Sequence, residues 1–430
     1  MKKELLVIVA DYIRATENEI SIDKSVYDLA NTSPERLGYM PRPAKILNRF
    51  IKRPVLFKLL VMVLRGLWRA GGASLFFFYE MIVFYKYSRR VPAQLESENH
   101  SREYALAFSA RAADILTSKV LSFEPECWIT FPWVPTNFER EVESIDVFSL
   151  LKGKDIFAAF VLAVIASRKI AHSKKNQRWM LQSYTAFRWF AVRIALGKLR
   201  THKLIIAEHY DRWAMLADSV ASRCGRDPGN PSDSGMELVM VQHGSLSGLA
   251  SLEYQARPSL PFKLGHKLKN VTHAFVYNED AKMIFASDIL SFSCTAAGVA
   301  FTYFSPAIKL TTYPSENPVR VLFVGHPICE RLHAHLLRDL VQAYQVSFYY
   351  KPHPTAGAAE SVQHEAWQVI VGRESFPQVD FLIAYPSTLV IEYAASGISA
   401  ILHPLDMNPE VSSGLLESIK SKLDTMGCKK

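Results

Sequence analysis

Phe381-Leu382-Ile383-Ala384-Tyr385-Pro386-Ser387-Thr388 decides how the chain is read. A short apolar run closed by a proline is a buried strand, and Ser387 or Thr388 then caps a helix that runs through Glu392 and stops at Gly397. Working outward, Val319 to Val324 reads as a strand, Glu330 to Tyr344 as a helix and Val346 to Tyr350 as a strand. Glu360 to Val369 reads as a helix and Ala400 to Leu402 as a last strand. Strands alternating with helices predict a parallel sheet with helices on both faces.

An earlier series repeats the pattern. Leu204 to Ala207 is a strand, Asp211 to Cys224 a helix, Arg226 to Gly235 a polar loop, and Leu238 to Val241 and Ala274 to Tyr277 are strands, the last leading into a helix near Asn278. Upstream, Leu5 to Ala10 reads as a short buried strand, Ser101 to Val120 as a helix and Cys127 to Trp133 as a strand. Ile156 to Lys169 and Gln177 to Leu199 read as helices, and the Pro- and Thr-rich stretch Pro306 to Pro318 as a linker. The expectation is an α/β chain of two Rossmann-like domains, residues 1–310 and 311–430, facing each other across a cleft. Ligands of such sheets bind beyond the carboxyl ends of the strands, a common home for nucleotide-dependent transfer.

At 430 residues, 49% hydrophobic and 21% charged, the chain is globular and too long for one compact core. Its five cysteines include no CxxC pair and are read as having no CxxxH spacing nearby, which argues against a disulfide framework or a zinc ribbon and for a reducing compartment. The net charge of +9 is concentrated: residues 41–90 hold eleven Lys or Arg against Glu80 alone, leaving 39 basic and 40 acidic residues elsewhere. A nearly neutral bulk excludes a general nucleic-acid binder. The basic block is also apolar, with Lys58, Arg65, Arg69 and Glu80 interrupting each run, which argues against an integral span. It suits either a helix lying on an anionic membrane surface or core helices with basic edges in solvent. Met1-Lys2-Lys3-Glu4 leads into a short apolar run with no cleavage site, so the expected location is the cytoplasm, peripheral on the inner face of the cytoplasmic membrane.

Four short sequences sit at expected strand ends: Gln242-His243-Gly244, Gly325-His326-Pro327, Lys351-Pro352-His353-Pro354 and Tyr385-Pro386-Ser387-Thr388. A single His-Pro or His-Gly pair means little, but three such histidines at strand ends put side chains where the backbone turns at the ligand edge. The helix start at Ser387 and Thr388 offers N–H groups, a positive dipole end and two hydroxyls, which suit a phosphate or an ordinary cap. Glu392 is placed to reach a ribose hydroxyl or to stand as a solvated or ion-paired carboxylate. Lys351, His353 and His326 suit an anionic leaving group, His353 by donating to a diphosphate oxygen or protonating it. His243 is the favoured general base for an acceptor hydroxyl, with Glu208, beside His209 and Asp211, as a competing base or orienting carboxylate. No Asp-x-Asp, GxxxxGK[ST], GxGxxG or GxSxG occurs, which speaks against metal-held diphosphate, P-loop ATPases, ordinary dehydrogenases and hydrolases.

Together these motifs resemble bacterial surface-polysaccharide glycosyltransferases of the GT-B fold: capsule and lipopolysaccharide transferases, polysialyltransferases and CDP-glycerol glycerophosphotransferases. The resemblance covers roughly residues 203–404. It implies that His243 is the base and that His353, Ser387 and Thr388 hold the nucleotide phosphates. It also implies a metal-independent enzyme with no cofactor beyond its nucleotide-sugar, using a CMP-, CDP- or UDP-activated donor and a surface polysaccharide or lipid-linked glycan acceptor. The polysialyltransferase motif of two adjacent carboxylates and a glycine is missing, so sialic acid is not implied as the donor sugar. Direct displacement would invert the anomeric centre, and a retaining enzyme could use the same phosphate site. A CDP-alcohol polyol-phosphate transferase, a sugar-nucleotide 2-epimerase and a non-catalytic assembly scaffold are the rival readings.

Overall fold

The structure is a computed structural model, and the residues it describes are 2–30, 46–50, 53–91, 102–117, 121, 124–134, 142–222, 235–246, 258–306, 308–353, 358–372 and 375–430. Cys224, most of the expected loop before Gly235, and the basic residues Arg42, Lys45 and Lys52 lie outside them. The chain forms two compact units, one of residues 1–23, 40–243 and 262–304, the other of residues 24–39, 244–261 and 305–430.

The first unit opens with α1 (Lys2–Ala30), followed by α2 (Pro54–Leu67), a π turn (Trp68–Gly72) and α3 (Ala73–Ser88). Then come β1 (Arg102–Leu106), α4 (Ala110–Leu116), β2 (Cys127–Thr130), β3 (Ser144–Asp146), α5 (Gly153–His172) and α6 (Ala186–Leu196). It closes with β4 (Thr201–Ile206), α7 (Arg212–Ala221), β5 (Glu237–Val241), β6 (Val271–Val276), α8 (Glu279–Ile284), α9 (Phe292–Ala296) and β7 (Ala300–Tyr303). The seven strands are all parallel in the order β3-β2-β1-β4-β5-β6-β7. That order is Rossmann-like, outward from β1 in one direction and then back across β4 in the other, so a topological switch point lies between β1 and β4.

Two early expectations are corrected here. Leu5 to Ala10 is helical, because the buried residues Val9, Tyr12, Thr16, Ile20 and Asp23 recur at three- and four-residue spacing along α1. Polar residues fix that helix: Asn18 and His266 exchange hydrogen bonds of 2.8 and 3.0 Å, and Glu17 accepts from Asn176 at 2.8 Å. Ser101 to Val120 is not one helix, since Arg102–Leu106 pairs with both β2 and β4 at the centre of the sheet, and only Ala110–Leu116, capped by Ser109, is helical. Alanine-rich composition favours a helix there, and sheet pairing overrides it. The expected helix Gln177 to Leu199 likewise divides into a 3₁₀ stretch, Gln177–Thr185, and α6.

The second unit contains β8 (Leu310–Thr311), β9 (Arg320–Val324), α10 (Glu330–Ala343), β10 (Ser347–Lys351), α11 (Glu360–Gln363), β11 (Gln368–Val369) and β12 (Phe376–Pro377). It ends with β13 (Phe381–Ala384), α12 (Thr388–Ala395), β14 (Ser399–Leu402) and α13 (Ser413–Thr425). Five parallel strands run in the order β11-β10-β9-β13-β14, with the switch point between β9 and β13, while β8 pairs with β12 in what reads from sequence as linker. Strand alternation sorts the core: Val321, Phe323, Phe348, Tyr350 and Ile383 pack on one face with α10 and α13, and Leu322, Val324, Tyr349 and Leu382 pack on the other with Tyr393. The expected helix Glu360 to Val369 stops at Gln363, because Trp367 turns into the first of these cores and Gln368–Val369 joins the sheet edge.

Candidate functional site

In the first unit the switch point is bridged directly. The Phe108 N–H, just past β1, donates to Glu208 Oε1 at 3.3 Å, just past β4. The other Glu208 oxygen is buried without a hydrogen-bond partner among the described residues, and burial, reinforced by Asp211, holds this carboxyl well above the ordinary range. Burial thus favours the protonated form of Glu208 and makes it a poorer resting base than its residue type suggests. Asp211 caps α7 by accepting from Trp213 and Ala214 N–H at 2.8 and 2.9 Å, and burial with the nearby Glu19 pushes it up to about 7.

His243 follows β5 and is half-buried. Its Nδ1 hydrogen-bonds the Ala207 carbonyl. A carbonyl only accepts, so Nδ1 carries the proton and Nε2 keeps its lone pair. Its backbone N–H donates to His209 Nε2 at 2.9 Å, and the two rings stack with centroids 4.4 Å apart. Burial lowers His243 to about 4, and burial with His243 beside it lowers His209 as well, so both are neutral at pH 7. Arg111, on α4, bears electrostatically on both His243 and Tyr277 and was not singled out from the sequence.

In the second unit three strand-end motifs meet. His326 follows β9, His353 follows β10 and Tyr385 follows β13, and the His326 ring lies 5.0 Å from His353 and 5.5 Å from Tyr385, the latter contact crossing the switch point. The Ile328 N–H donates to His326 Nδ1 at 3.3 Å, which leaves the His326 proton on Nε2. Burial, with His353 beside it, lowers His326 to about 3, and burial lowers His353 as well.

Ser387 is the N-cap residue of α12, yet its side chain makes no capping bond: Oγ is buried, the residue 8% exposed, and has no hydrogen-bond partner among the described residues. A buried hydroxyl left unsatisfied at a helix N-terminus is unfavourable until something accepts from it or donates to it. Thr388 Oγ1 accepts the Ser245 N–H at 2.8 Å, and a Cβ on Gly244 would lie 3.4 Å from that oxygen. Glu392 is buried at 2% exposure, which removes the solvated alternative. Lys351 is also buried, its ammonium donating to the Gly372 and Ser375 carbonyls at 2.9 and 2.8 Å above the Phe376 ring. That structural duty had no signal in the sequence.

Beneath these residues, Cys329, His333 and His403 bring their side-chain ligand atoms within 4.8 Å of one another and are the group among the described residues with the donor types to hold a metal. Cys329 and His333 stand four apart on one helical turn, a spacing the reading against a zinc site passes over. Hydrogen bonds account for the cluster without an ion. His403 Nδ1 donates to the Pro404 carbonyl at 2.7 Å, so its Nε2 accepts from His333 Nε2 at 2.8 Å, and His333 Nδ1 faces the Cys329 thiol at 4.0 Å. Burial keeps both imidazoles neutral.

No known family profile and no curated protein matches the chain. The functional reading therefore rests on the geometry above and on the short motifs that led to it.

Proposed function

We propose that the chain is a GT-B-type glycosyltransferase that moves a sugar from a CMP-, CDP- or UDP-activated donor to a capsule, lipopolysaccharide or other lipid-linked glycan. The observation that carries this reading is the Ser387 hydroxyl, buried and without a partner among the described residues at the N-terminus of α12, where β9 and β13 part and His326 and His353 lie close together. Neutral donors around a helix N-terminus suit the phosphate of an activated sugar.

In the proposed reaction the acceptor hydroxyl gives its proton to His243 Nε2 as its oxygen bonds to the anomeric carbon. The bond from that carbon to the donor's phosphate oxygen breaks, and the electron pair leaves on the phosphate. His326 Nε2–H, His353, Ser387 and the first turn of α12 receive that charge. Glu208 takes no proton in this scheme and stays the acceptor of the Phe108 N–H. The Ala207 carbonyl holds the tautomer of His243 that a base requires.

The test is thermal-shift titration with CMP, CDP, UDP, GDP and ADP on the wild type, Ser387→Ala and His353→Ala. A ligand well above its dissociation constant raises the melting temperature by mass action. A shift with one pyrimidine nucleotide that both variants reduce supports the reading. No shift with any nucleotide overturns it in favour of the scaffold.

A further inference from the structure

We propose that α2, with the outward faces of α3 and α5, docks on an anionic lipid bilayer and lies in its surface rather than crossing it. This inference is independent of the transferase reading. Of the α2 residues whose side chains are described, none is buried: Val55 is 81% exposed, Met62 61% and Leu67 60%, on a helix whose charged residues are Lys58 and Arg65. A helix this apolar ordinarily belongs inside a protein or against lipid, and a run of exposed apolar side chains of this kind marks a contact with a protein or a membrane.

The same surface continues onto its neighbours. α3 buries Ala73, Phe77, Glu80 and Phe84 along one stripe and turns Leu75, Tyr79 and Ile82 outward. α5 exposes Phe157, Val161 and Ile165 at four-residue spacing, and Phe160 links the two helices, its ring 6.1 Å from both Phe78 and Phe157. The elbow between α2 and α3 is fixed: Gly71 has φ 149°, open only to glycine, and the buried Trp68 donates to Ser183 Oγ at 3.0 Å.

Charge selects the occupant. From Arg49 to Tyr79 the sequence has no acid, and Glu80 is buried and accepts from Arg188 at 2.8 Å. A surface both apolar and basic fits anionic headgroups over acyl chains, whereas a second copy of the same face would bring like charges together. Length decides how deep the contact goes. By size and composition alone Val55–Ser88 is long and apolar enough to cross a membrane. Phe77, Glu80 and Phe84 are committed to protein, however, and the fourteen residues of α2 reach about 21 Å against a hydrocarbon core of about 30 Å.

The experiment is co-sedimentation of the full chain with vesicles of phosphatidylcholine alone and of phosphatidylcholine with phosphatidylglycerol, at low and high salt. The wild type should pellet with the anionic vesicles, less so at high salt. Lys58→Gln/Arg65→Gln/Arg69→Gln should weaken binding by about a hundredfold, each basic residue being worth roughly a factor of five near such a surface. Leu59→Gln/Met62→Gln/Leu67→Gln should abolish binding with an unchanged melting temperature, because α2 contributes no described side chain to the core. Three outcomes overturn the proposal: no binding to anionic vesicles, resistance of the membrane-bound chain to alkaline carbonate extraction, or a solution dimer that the apolar variant breaks while vesicle binding is absent.

Discussion

Gly325 lies against the ring of Tyr350, so close that a Cβ there would fall 2.8 Å from Tyr350 Cε1 and overlap the phenol oxygen. Glycine is needed at this position for approach, since β9 must end where β10 presents a full aromatic ring. Gly325→Ala should destabilise the second unit by about 1–3 kcal/mol, the usual penalty of overpacking. Tyr350→Phe should relieve part of that in the double variant. Urea unfolding of the four proteins checks it, and strictly additive effects would contradict the contact.

The Cys329–His333–His403 cluster is satisfied as a chain of neutral hydrogen bonds. His403→Ala would leave the His333 N–H buried without an acceptor and should cost about 1–3 kcal/mol in addition to the cavity. Replacing both imidazoles by leucine should cost less than the two single changes combined, since no orphan donor remains. EDTA should leave the wild-type melting temperature unchanged. A fall on chelation, restored by zinc, would show that these three side chains hold an ion instead.

The second unit was legible from sequence where each strand was a compact apolar run ended by glycine or proline, as at Val319–Gly325 and Phe381–Pro386. Both faces of that sheet are covered, so its strands are apolar throughout and stand out without alternation. α1 was not legible, because the stripe it buries includes Thr16, which donates to the Tyr12 carbonyl one turn back, and Asn18 and Asp23, polar residues whose partners lie more than 150 positions away. The strand-end histidines announced themselves through the glycine and proline beside them. Arg111 and His333 carry no such punctuation, and only the fold brings them to His243 and Cys329; His403 does carry it, since Pro404 follows it at the end of β14, but it was not singled out.

Stability should fall on both sides of neutrality, for opposite reasons. His243 and His326 titrate near 4 and 3 when folded against 6.5 for the free side chain, so between those values the unfolded chain binds more protons. Their contribution is complete above pH 6.5 and is lost as pH falls through that window. Asp23, bonded to Gln182, is pushed up to about 8 by burial and the charge of Glu19. Its contribution is complete below pH 3.8 and is lost as pH rises to about 8. Asp23→Asn should flatten the alkaline limb of the stability curve and steepen the acid limb, because its window overlaps that of the histidines between pH 3.8 and 6.5, whereas His326→Gln should flatten the acid limb alone. Urea midpoints across pH 4 to 8.5, a range set by these windows, test both, and parallel curves for wild type and variants would refute the assignment.

His243→Gln separates chemistry from donor binding. Glutamine can still donate to the Ala207 carbonyl, but it has no basic nitrogen where Nε2 stands, so the acceptor proton has no destination. Sugar transfer from the nucleotide that gives the thermal shift should fall by about 10²- to 10⁴-fold, the usual worth of a positioned base. The shift itself should persist, because its determinants, Ser387, Thr388 and His353, belong to the second unit. Glu208→Gln keeps the shape of the neutral carboxyl that burial favours, and its amide oxygen can still accept from Phe108, so it should retain most of the activity. If instead Glu208→Gln abolished transfer while His243→Gln preserved it, the proton would be going to the carboxylate. The buried oxygen of Glu208 would then have to ionise on substrate binding, and the two residues would exchange roles.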